Sequence, residues 1–175
     1  KVAVERVGVE MLPAFYELHR RTAERNGFLV CPDRYFAALF SDGAADPDTS
    51  KIVFLLARRG PDLLAGGIVA HSGQTAHYLF GGSSSENRNL MGSYALHWEA
   101  IRQARARGCQ RYDMGAVAPQ KDPDHPFYGL LRFKAGFGGQ IIHRNGSWDY
   151  PIDPAAYTAF RNSEILSREA AVSDV

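Results

Sequence analysis

The chain has 175 residues, of which 45% are hydrophobic and 22% charged, and its formal net charge is +1 at pH 7. This length and apolar content fit one globular domain, and the small net charge excludes a histone-like surface that coats a polyanion. No apolar run approaches the ~20 residues that span a bilayer, so we expect no stable membrane insertion and a cytoplasmic location. Cys31 and Cys109 lie outside any CxxC spacing, which suggests neither a disulfide framework nor a zinc site.

The first half of the chain predicts one strand, two helices and a three-stranded meander. Valines alternate over residues 2–7, helical spacing of apolar residues covers 11–26, and a short helix over 34–40 follows Pro32-Asp33. A polar loop rich in turn formers is predicted over residues 41–50. Three β-rich runs separated by glycine, proline and serine then predict antiparallel strands: KIVFLLARRG, LLAGGIVAHSG and TAHYLFGGSS.

The second half predicts a long helix followed by shorter elements. The helix covers residues 87–107, and its expected apolar side contains Met91, Tyr94, Leu96, Trp98 and Ile101. The remaining predictions are a strand at 109–117, a short helix at 127–134, a strand or hairpin at 139–152 and a helix at 154–168.

This order predicts an α+β fold with a central mixed, mostly antiparallel sheet flanked by helices. The connectivity resembles the GNAT type of acyltransferase fold. GNAT enzymes that use coenzyme A usually bind its pyrophosphate at an Arg/Gln-x-x-Gly-x-Gly/Ala turn before the long helix. The corresponding turn here, GGSSSENRNLMGSY, departs from that pattern because Arg88 and Gly92 are one residue too far apart. A helix cap supplied by Ser85 or Asn87 explains its polar residues equally well.

A lysine lies within the apolar and glycine-rich stretch LLRFKAGFGGQ, residues 130–140. Withdrawing an ammonium from water is costly unless it has a partner, so the position of Lys134 needs a reason. The ordinary explanation is a lysine whose stem covers apolar surface while its charged end stays in solvent.

Aromatic, glycine and charged residues recur together in three motifs: Tyr78 with Gly81-Gly82, Tyr112-Asp113 with Gly115, and Phe133-Lys134 with Phe137-Gly138-Gly139. These motifs resemble the second GNAT-like domain of the Fem family, the aminoacyl-tRNA-dependent peptidyltransferases that build peptidoglycan interpeptide bridges. The resemblance implies transfer of an amino acid from aminoacyl-tRNA to the stem peptide of a precursor, either a UDP-muropeptide or a lipid-linked one. It implies aminoacyl-tRNA as co-substrate and no cofactor. It also implies that this chain, 1–175, is one GNAT-like domain whose first GNAT-like partner domain is missing.

The resemblance also implies roles for individual residues. Lys134 matches the lysine of the family's Phe-Lys motif, where a cation stabilises a phosphate or the oxyanion of the attacked ester. Phe133 is expected beside the terminal adenosine. The expected substrate-binding residues are Tyr78, Arg132, Arg34, Tyr35 and Arg25.

The residues indicate no general base or metal site. Asp113 precedes Gly115 after a strand, which favours a turn acceptor over a base. The six histidines show no HExxH or other metal-ligand spacing, and we interpret them as structural or surface residues. Two alternatives stay open at this stage: a coenzyme A-dependent GNAT N-acyltransferase, and a non-catalytic module that binds tRNA or a muropeptide.

Overall fold

The computed structural model describes residues 1–41, 51–119 and 121–173. All of the polar loop predicted over residues 41–50 except Ser41 lies outside the described residues. The chain forms two compact units, Lys1–Lys134 and Ala135–Val175, each of which is described by itself.

In the first unit, the helices and strands follow the predicted order. The bounds in the described residues of both units are β1 Ala3–Arg6, α1 Leu12–Asn26, α2 Asp33–Ser41, β2 Ile52–Arg59, β3 Asp62–Ser72, β4 Thr75–Ser83, α3 Gly92–Ala106, β5 Arg111–Asp113, α4 Tyr128–Ala135 and α5 Pro154–Ser173. Short 3₁₀ turns at Val9–Met11 and Arg88–Leu90 precede α1 and α3.

The sheet has five strands in the order β1-β2-β3-β4-β5. The first four strands pair antiparallel, and β4 pairs parallel with β5 after the α3 crossover. A parallel pair needs such a crossover, whereas the meander β2-β3-β4 needs only tight turns. The predicted α+β fold with a mixed, mostly antiparallel sheet is therefore confirmed.

Alternate side chains of β2 enter two different cores because successive residues of a strand point to opposite faces. Val53 and Leu55 belong to the cluster that contains Leu96 and Ala100 of α3. Phe54 and Leu56 belong to the aromatic cluster on the other face, with Phe15 of α1 and Phe36 of α2. The sheet is thus covered by α3 on one face and by α1 and α2 on the other.

Helix α3 begins later than the sequence predicted. Residues 87–91 contain a 3₁₀ turn between Asn87 and Met91, which both have left-handed backbone conformations with φ of 52° and 57°. Met91 is the residue before the helix, and no side chain caps it, so the predicted cap by Ser85 or Asn87 is wrong. The bend brings Gly92 against Leu64, where a Cβ would lie 2.5 Å from the Leu64 Cβ.

Strand β4 has a bulge and then separates from β5. Val69 pairs with Tyr78 and Ile68 pairs with Phe80, which leaves Leu79 as the extra residue of the bulge. The pairing of β4 with β5 ends at His77 and Asp113, although β4 continues to Ser83. The two strands therefore diverge immediately after these residues.

The second unit differs from its prediction over residues 139–152, where the described backbone forms no strand. This stretch exposes Ile142, Trp148, Tyr150 and Ile152, each by 72% or more. Apolar alternation alone does not make a strand, since a strand also needs a neighbour for its backbone hydrogen bonds. The helix that follows is confirmed and extends to Ser173.

Among the described residues, no helix combines the length and the apolar character that a membrane span requires.

Candidate functional site at the divergence of β4 and β5

Gly115, the Tyr78 backbone and the Lys134 side chain come together where β4 and β5 separate. Gly115 follows β5 with a φ of +75°, a conformation that favours glycine. A Cβ at this position would lie 3.8 Å from Lys134 Nζ and 3.9 Å from the Tyr78 carbonyl oxygen. Gly115 therefore leaves a space that is bordered by Tyr78 on β4 and Lys134 on α4.

The ammonium of Lys134 has a specific partner at this position. Its Nζ donates a hydrogen bond of 2.7 Å to the carbonyl oxygen of Ala116. Burial lowers the pKa of Lys134, and the negative charge of Asp113 opposes that shift. The lysine is thus partly withdrawn from water and held by the backbone of the loop after β5, rather than extended into solvent.

An aromatic wall lies beside Lys134. The ring of Phe133 is 4.7 Å from that of Tyr94 and 5.4 Å from that of His97, and the His97 ring is 4.4 Å from that of Tyr78. Such contacts fix ring orientation as well as burying apolar area. Phe133, Lys134 and Tyr78, all candidates from the sequence, therefore belong to one site.

Two glycines allow Tyr78 to lie flat against the sheet. Gly67 and Gly81 are paired across β3 and β4. A Cβ on Gly81 would lie 1.4 Å from the Tyr78 hydroxyl oxygen, and one on Gly67 would lie 2.7 Å from Tyr78 Cε2. The glycine pair thus provides the surface on which this ring lies, and burial raises the pKa of the Tyr78 phenol.

Sequence reasoning gave no site role to His97 or to Tyr112, although Tyr112 belongs to one of the motifs named above. His97 is 2% exposed, and its Nδ1 is 3.0 Å from the Tyr112 hydroxyl oxygen. Burial lowers the pKa of His97 to about 4, and the nearby charge of Lys134 contributes. Burial also raises the pKa of Tyr112. Both groups are therefore uncharged at neutral pH, next to a cationic lysine.

A signal for His97 is present in the helical spacing. His97 lies three residues after Tyr94 and one turn before Ile101, on a side of α3 that turns toward the sheet. The expected apolar side included Trp98 instead, and that assignment is wrong because Trp98 is 61% exposed.

Asp113 holds the turn after β5. Its Oδ1 accepts a hydrogen bond of 2.8 Å from the Gly115 amide, and its Oδ2 is 3.8 Å from His77 Nδ1. The predicted role as a turn acceptor is confirmed.

The remaining predicted binding residues lie elsewhere in the first unit or on its surface. Arg25 donates hydrogen bonds to Ser83 and Ser85, which join the end of α1 to the end of β4. Tyr35 packs against Phe36 and Phe80, on the α1-α2 face of the sheet. Arg34 and Arg132 are exposed on α2 and α4. Arg25, Arg34 and Tyr35 lie on elements other than those around Lys134, and the binding roles of all four residues stay predictions.

The turn between β4 and α3 uses its own backbone amides. The Leu90 amide donates to the Asn87 carbonyl, the Met91 amide to the Arg88 carbonyl, and the Glu86 amide to Ser84 Oγ. A cavity of about 280 Å³ beside this turn is lined by three acidic side chains, Glu17, Asp62 and Glu86, and by the basic side chain of Arg21. Amides that are already engaged and an excess of acidic over basic side chains make a poor environment for a pyrophosphate.

Residues 54–164 match the sequence profile of the FemAB family. The chain belongs to the FemAB family. It is 33% identical over 101 residues to the lipid II:glycine glycyltransferase of Staphylococcus saprophyticus, an alignment that covers 57% of this chain and 24% of the relative. It is 28% identical over 116 residues to the enzyme of the same name from Staphylococcus aureus, covering 65% of this chain and 28% of the relative.

The fold of this FemAB-family chain is similar to that of FemX, with a TM-score of 0.67 and 20% identity over 76% of the chain and 49% of FemX. It is also similar to a GNAT-family acetyltransferase from Staphylococcus aureus, with a TM-score of 0.65 and 12% identity over 86% of this chain and 90% of the other. At these identities the likeness shows a GNAT fold. The chain spans about a quarter of the length of these curated relatives and about half of FemX.

Proposed function

We propose that the complete protein is an enzyme that transfers an amino acid from aminoacyl-tRNA to an amine on the stem peptide of a peptidoglycan precursor. Membership of the FemAB family and the glycyltransferase relatives support this proposal. The observation that carries it is the position of Lys134, whose ammonium is fixed by the Ala116 carbonyl at the divergence of β4 and β5.

The proposed reaction needs a cation at this point. The amine of the acceptor attacks the ester carbonyl of aminoacyl-tRNA, so a C–N bond forms and negative charge develops on the carbonyl oxygen. The C–O bond of the ester then breaks, and the ribose hydroxyl leaves. A fixed ammonium in a partly desolvated site stabilises that oxyanion more than it stabilises the neutral ester. Lys134 performs this role.

The proton balance does not require a protein carboxylate. The attacking amine loses one proton, and the departing ribose oxygen gains one, so the transfer can pass through the vicinal hydroxyl or a phosphate of the tRNA. Asp113, the carboxylate that faces Lys134, is already engaged by the Gly115 amide. We therefore assign no general base.

The aromatic residues position the two substrates. Phe133 presents a ring to the terminal adenosine, since base stacking needs no particular base. Tyr78, held against the Gly67–Gly81 pair, contacts the precursor. Arg132, exposed one residue before Phe133, pairs with a nearby phosphate. Arg25, Arg34 and Tyr35 are further precursor contacts in this proposal.

The acyl donor in this proposal is aminoacyl-tRNA, with no cofactor. The engaged amides of the β4-α3 turn and the acidic side chains beside it argue against coenzyme A. The acceptor is a lipid-linked precursor or its UDP-muropeptide form, and the name of the staphylococcal relatives favours the lipid-linked one. Because the chain spans about half of FemX, a further GNAT-like domain of the complete protein is expected to complete the acceptor site.

A transfer assay tests the proposal. The complete protein is incubated with radiolabelled aminoacyl-tRNA and either the lipid-linked precursor or the UDP-muropeptide, and the label on the stem peptide is counted. We expect transfer to at least one of the two acceptors and none from the corresponding aminoacyl coenzyme A thioester. Label that stays on the tRNA with both acceptors, across the common aminoacyl groups, would contradict the proposal.

A further inference from the structure

The outward face of α3 carries an aromatic and basic stripe. Met91, Tyr94 and Trp98 are 51%, 37% and 61% exposed, and Arg102 and Arg105 follow on exposed turns of the same helix. Residues three and four apart lie on one side of a helix, so these side chains form a continuous surface. A shallow depression along it is lined by Trp98, Ile101, Arg102, Arg105 and Ala106.

This stripe is held rigidly but has no role in the core. Leu96, Ala100 and Ala104, on the opposite side of α3, are each at most 3% exposed and fix the helix against the sheet. An indole exposed by 61% adds little to folding, because only the area removed from water stabilises the fold. The stripe therefore presents a fixed apolar surface to a molecule outside the core.

The charge of the stripe favours an anionic partner. Arg102 pairs with Glu99, the one acidic residue of α3, at 2.8 Å, yet its side chain stays 64% exposed. Arg105 adds a second positive charge one turn after Arg102 and about two turns after Trp98. Arginines next to an exposed aromatic ring are the combination that binds single-stranded nucleic acid, with phosphates on the guanidinium groups and a base on the ring.

The stripe begins at the site that contains Lys134. The ring of Tyr94, at its first turn, is 4.7 Å from that of Phe133. From Tyr94 to Arg105 the helix rises about 16 Å, at ~1.5 Å for each residue. This length corresponds to about four or five nucleotides at the roughly 3.4 Å spacing of stacked bases.

We infer that the stripe Tyr94–Trp98–Arg102–Arg105 binds the single-stranded 3′ end of an RNA whose terminal nucleotide lies at Phe133 and Lys134. One base stacks on Trp98, and the backbone phosphates pair with Arg102 and Arg105. The inference rests on the proposed function, because it takes the RNA to be the aminoacyl-tRNA donor. Its continuity with the Lys134 site favours RNA over a membrane surface or a second protein.

Binding of two RNA hairpins to the complete protein tests the inference. One hairpin carries a short 3′ single-stranded extension and the other is blunt, and both are labelled for fluorescence anisotropy. The variants are Trp98→Ala and the double variant Arg102→Gln/Arg105→Gln. Arg59→Gln, which changes an exposed arginine at the end of β2, is the matched control.

We expect Trp98→Ala to raise the Kd of the extended hairpin about tenfold, the usual effect of one lost stacking contact, and to leave the blunt hairpin unchanged. A plot of the logarithm of the binding constant against the logarithm of the salt concentration has a negative slope. The double arginine variant should make this slope shallower by about 0.7 for each arginine removed. Arg59→Gln should bind like the wild type. Equal weakening of both hairpins, or no weakening of either, overturns the inference.

Two further outcomes also overturn it. One is that Trp98→Ala loses binding to phosphatidylglycerol vesicles but keeps its affinity for the extended hairpin. The other is that it changes only the oligomeric state, measured by sedimentation. The proposed function and the inference can fail independently. If RNA binds through Trp98 but no amino acid is transferred, only the proposed activity is contradicted. If Trp98→Ala keeps the wild-type kcat/KM for aminoacyl-tRNA, only the binding role of the stripe is contradicted.

Discussion

His97 shows at the scale of one residue how burial and a neighbouring charge act on folding. Its pKa is lowered to about 4 because the ring is buried, with Lys134 nearby. The unfolded chain therefore binds a proton to this histidine between about pH 6.5 and 4, while the folded chain does not. Above pH 6.5 the ring is neutral in both states, so its protonation does not reduce the free energy of unfolding. That free energy falls by about 3 kcal/mol as the pH decreases from 6.5 to 4.

Urea unfolding of the wild type and of His97→Gln at several pH values measures this contribution. The amide of glutamine does not titrate, so the difference between the two unfolding free energies should shrink or change sign as the pH falls from 7 to 4. Parallel pH profiles for the two proteins would show that His97 is protonated in the folded state or already neutral in the unfolded chain.

At the scale of elements, the packing of α1 on β4 depends on Gly82. A Cβ at this position would lie 2.9 Å from the His19 backbone nitrogen and 3.0 Å from both His19 Cα and the Leu18 carbonyl carbon. Backbone atoms of a helix cannot rotate away, so Gly82→Ala should reduce the unfolding free energy by about 1–3 kcal/mol.

Gly129→Ala is the matched control, because no atom lies within 4 Å of its added Cβ and the residue is in α4. Its unfolding free energy should be unchanged or slightly higher, since alanine favours a helix. Urea denaturation compares the two variants with the wild type. Equal stability of Gly82→Ala and the wild type would mean that α1 can move away from the sheet without loss.

The turn between β4 and α3 should not bind coenzyme A. Its Glu86, Leu90 and Met91 amides already donate hydrogen bonds within the turn, and three acidic side chains line the adjacent cavity. We expect calorimetric titration of the complete protein with acetyl coenzyme A to show a Kd of about 1 mM or weaker, which corresponds to a binding free energy of at most ~4 kcal/mol. A crystal structure with the pyrophosphate bound to the amides of residues 84–87 would refute this expectation.

Local patterns in the sequence predicted most elements because each depends on neighbours in the chain. Alternation in the β2-β3-β4 meander and the apolar spacing of α1 are of this kind. The predicted start of α3 was wrong because the helix begins where two residues with left-handed backbone conformations and the contact of Gly92 with Leu64 allow it to begin. The strand at 139–152 was wrong because a strand requires a partner, which the pattern of one segment does not reveal.

The candidate site was predictable only in part. Lys134, Phe133 and Tyr78 lie in short motifs that resemble those of a known family, and they prove to be close in space. His97 and Tyr112 come from α3 and β5, fifteen residues apart in sequence, and only the parallel pairing of β5 with β4 brings them to Tyr78. The exposure of Trp98 depends on which side of α3 faces the sheet, and apolar spacing alone assigned that side wrongly.

For the whole molecule, the account depends on Lys134 acting in transfer rather than in folding. Removing one preorganised contact to a developing oxyanion typically lowers turnover by about 10²–10³. The pKa of Lys134 is lowered by burial, so the charged form at neutral pH costs stability in the fold. Losing this ammonium should therefore change the unfolding free energy little, because removing the cost of burying its charge offsets the lost hydrogen bond to Ala116.

The most direct test is the steady-state rate of transfer from aminoacyl-tRNA by the complete protein and its Lys134→Ala variant, each with a melting curve. Lys121→Ala, a change to an exposed lysine in the loop before α4, is the control. The account predicts that Lys134→Ala lowers kcat by about 10²–10³ with little change in Tm. Lys134→Arg should restore only part of the rate, because a guanidinium is broader than an ammonium. Lys121→Ala should keep the wild-type rate. Near-wild-type turnover in Lys134→Ala would contradict the account and leave this lysine as a partly buried surface residue.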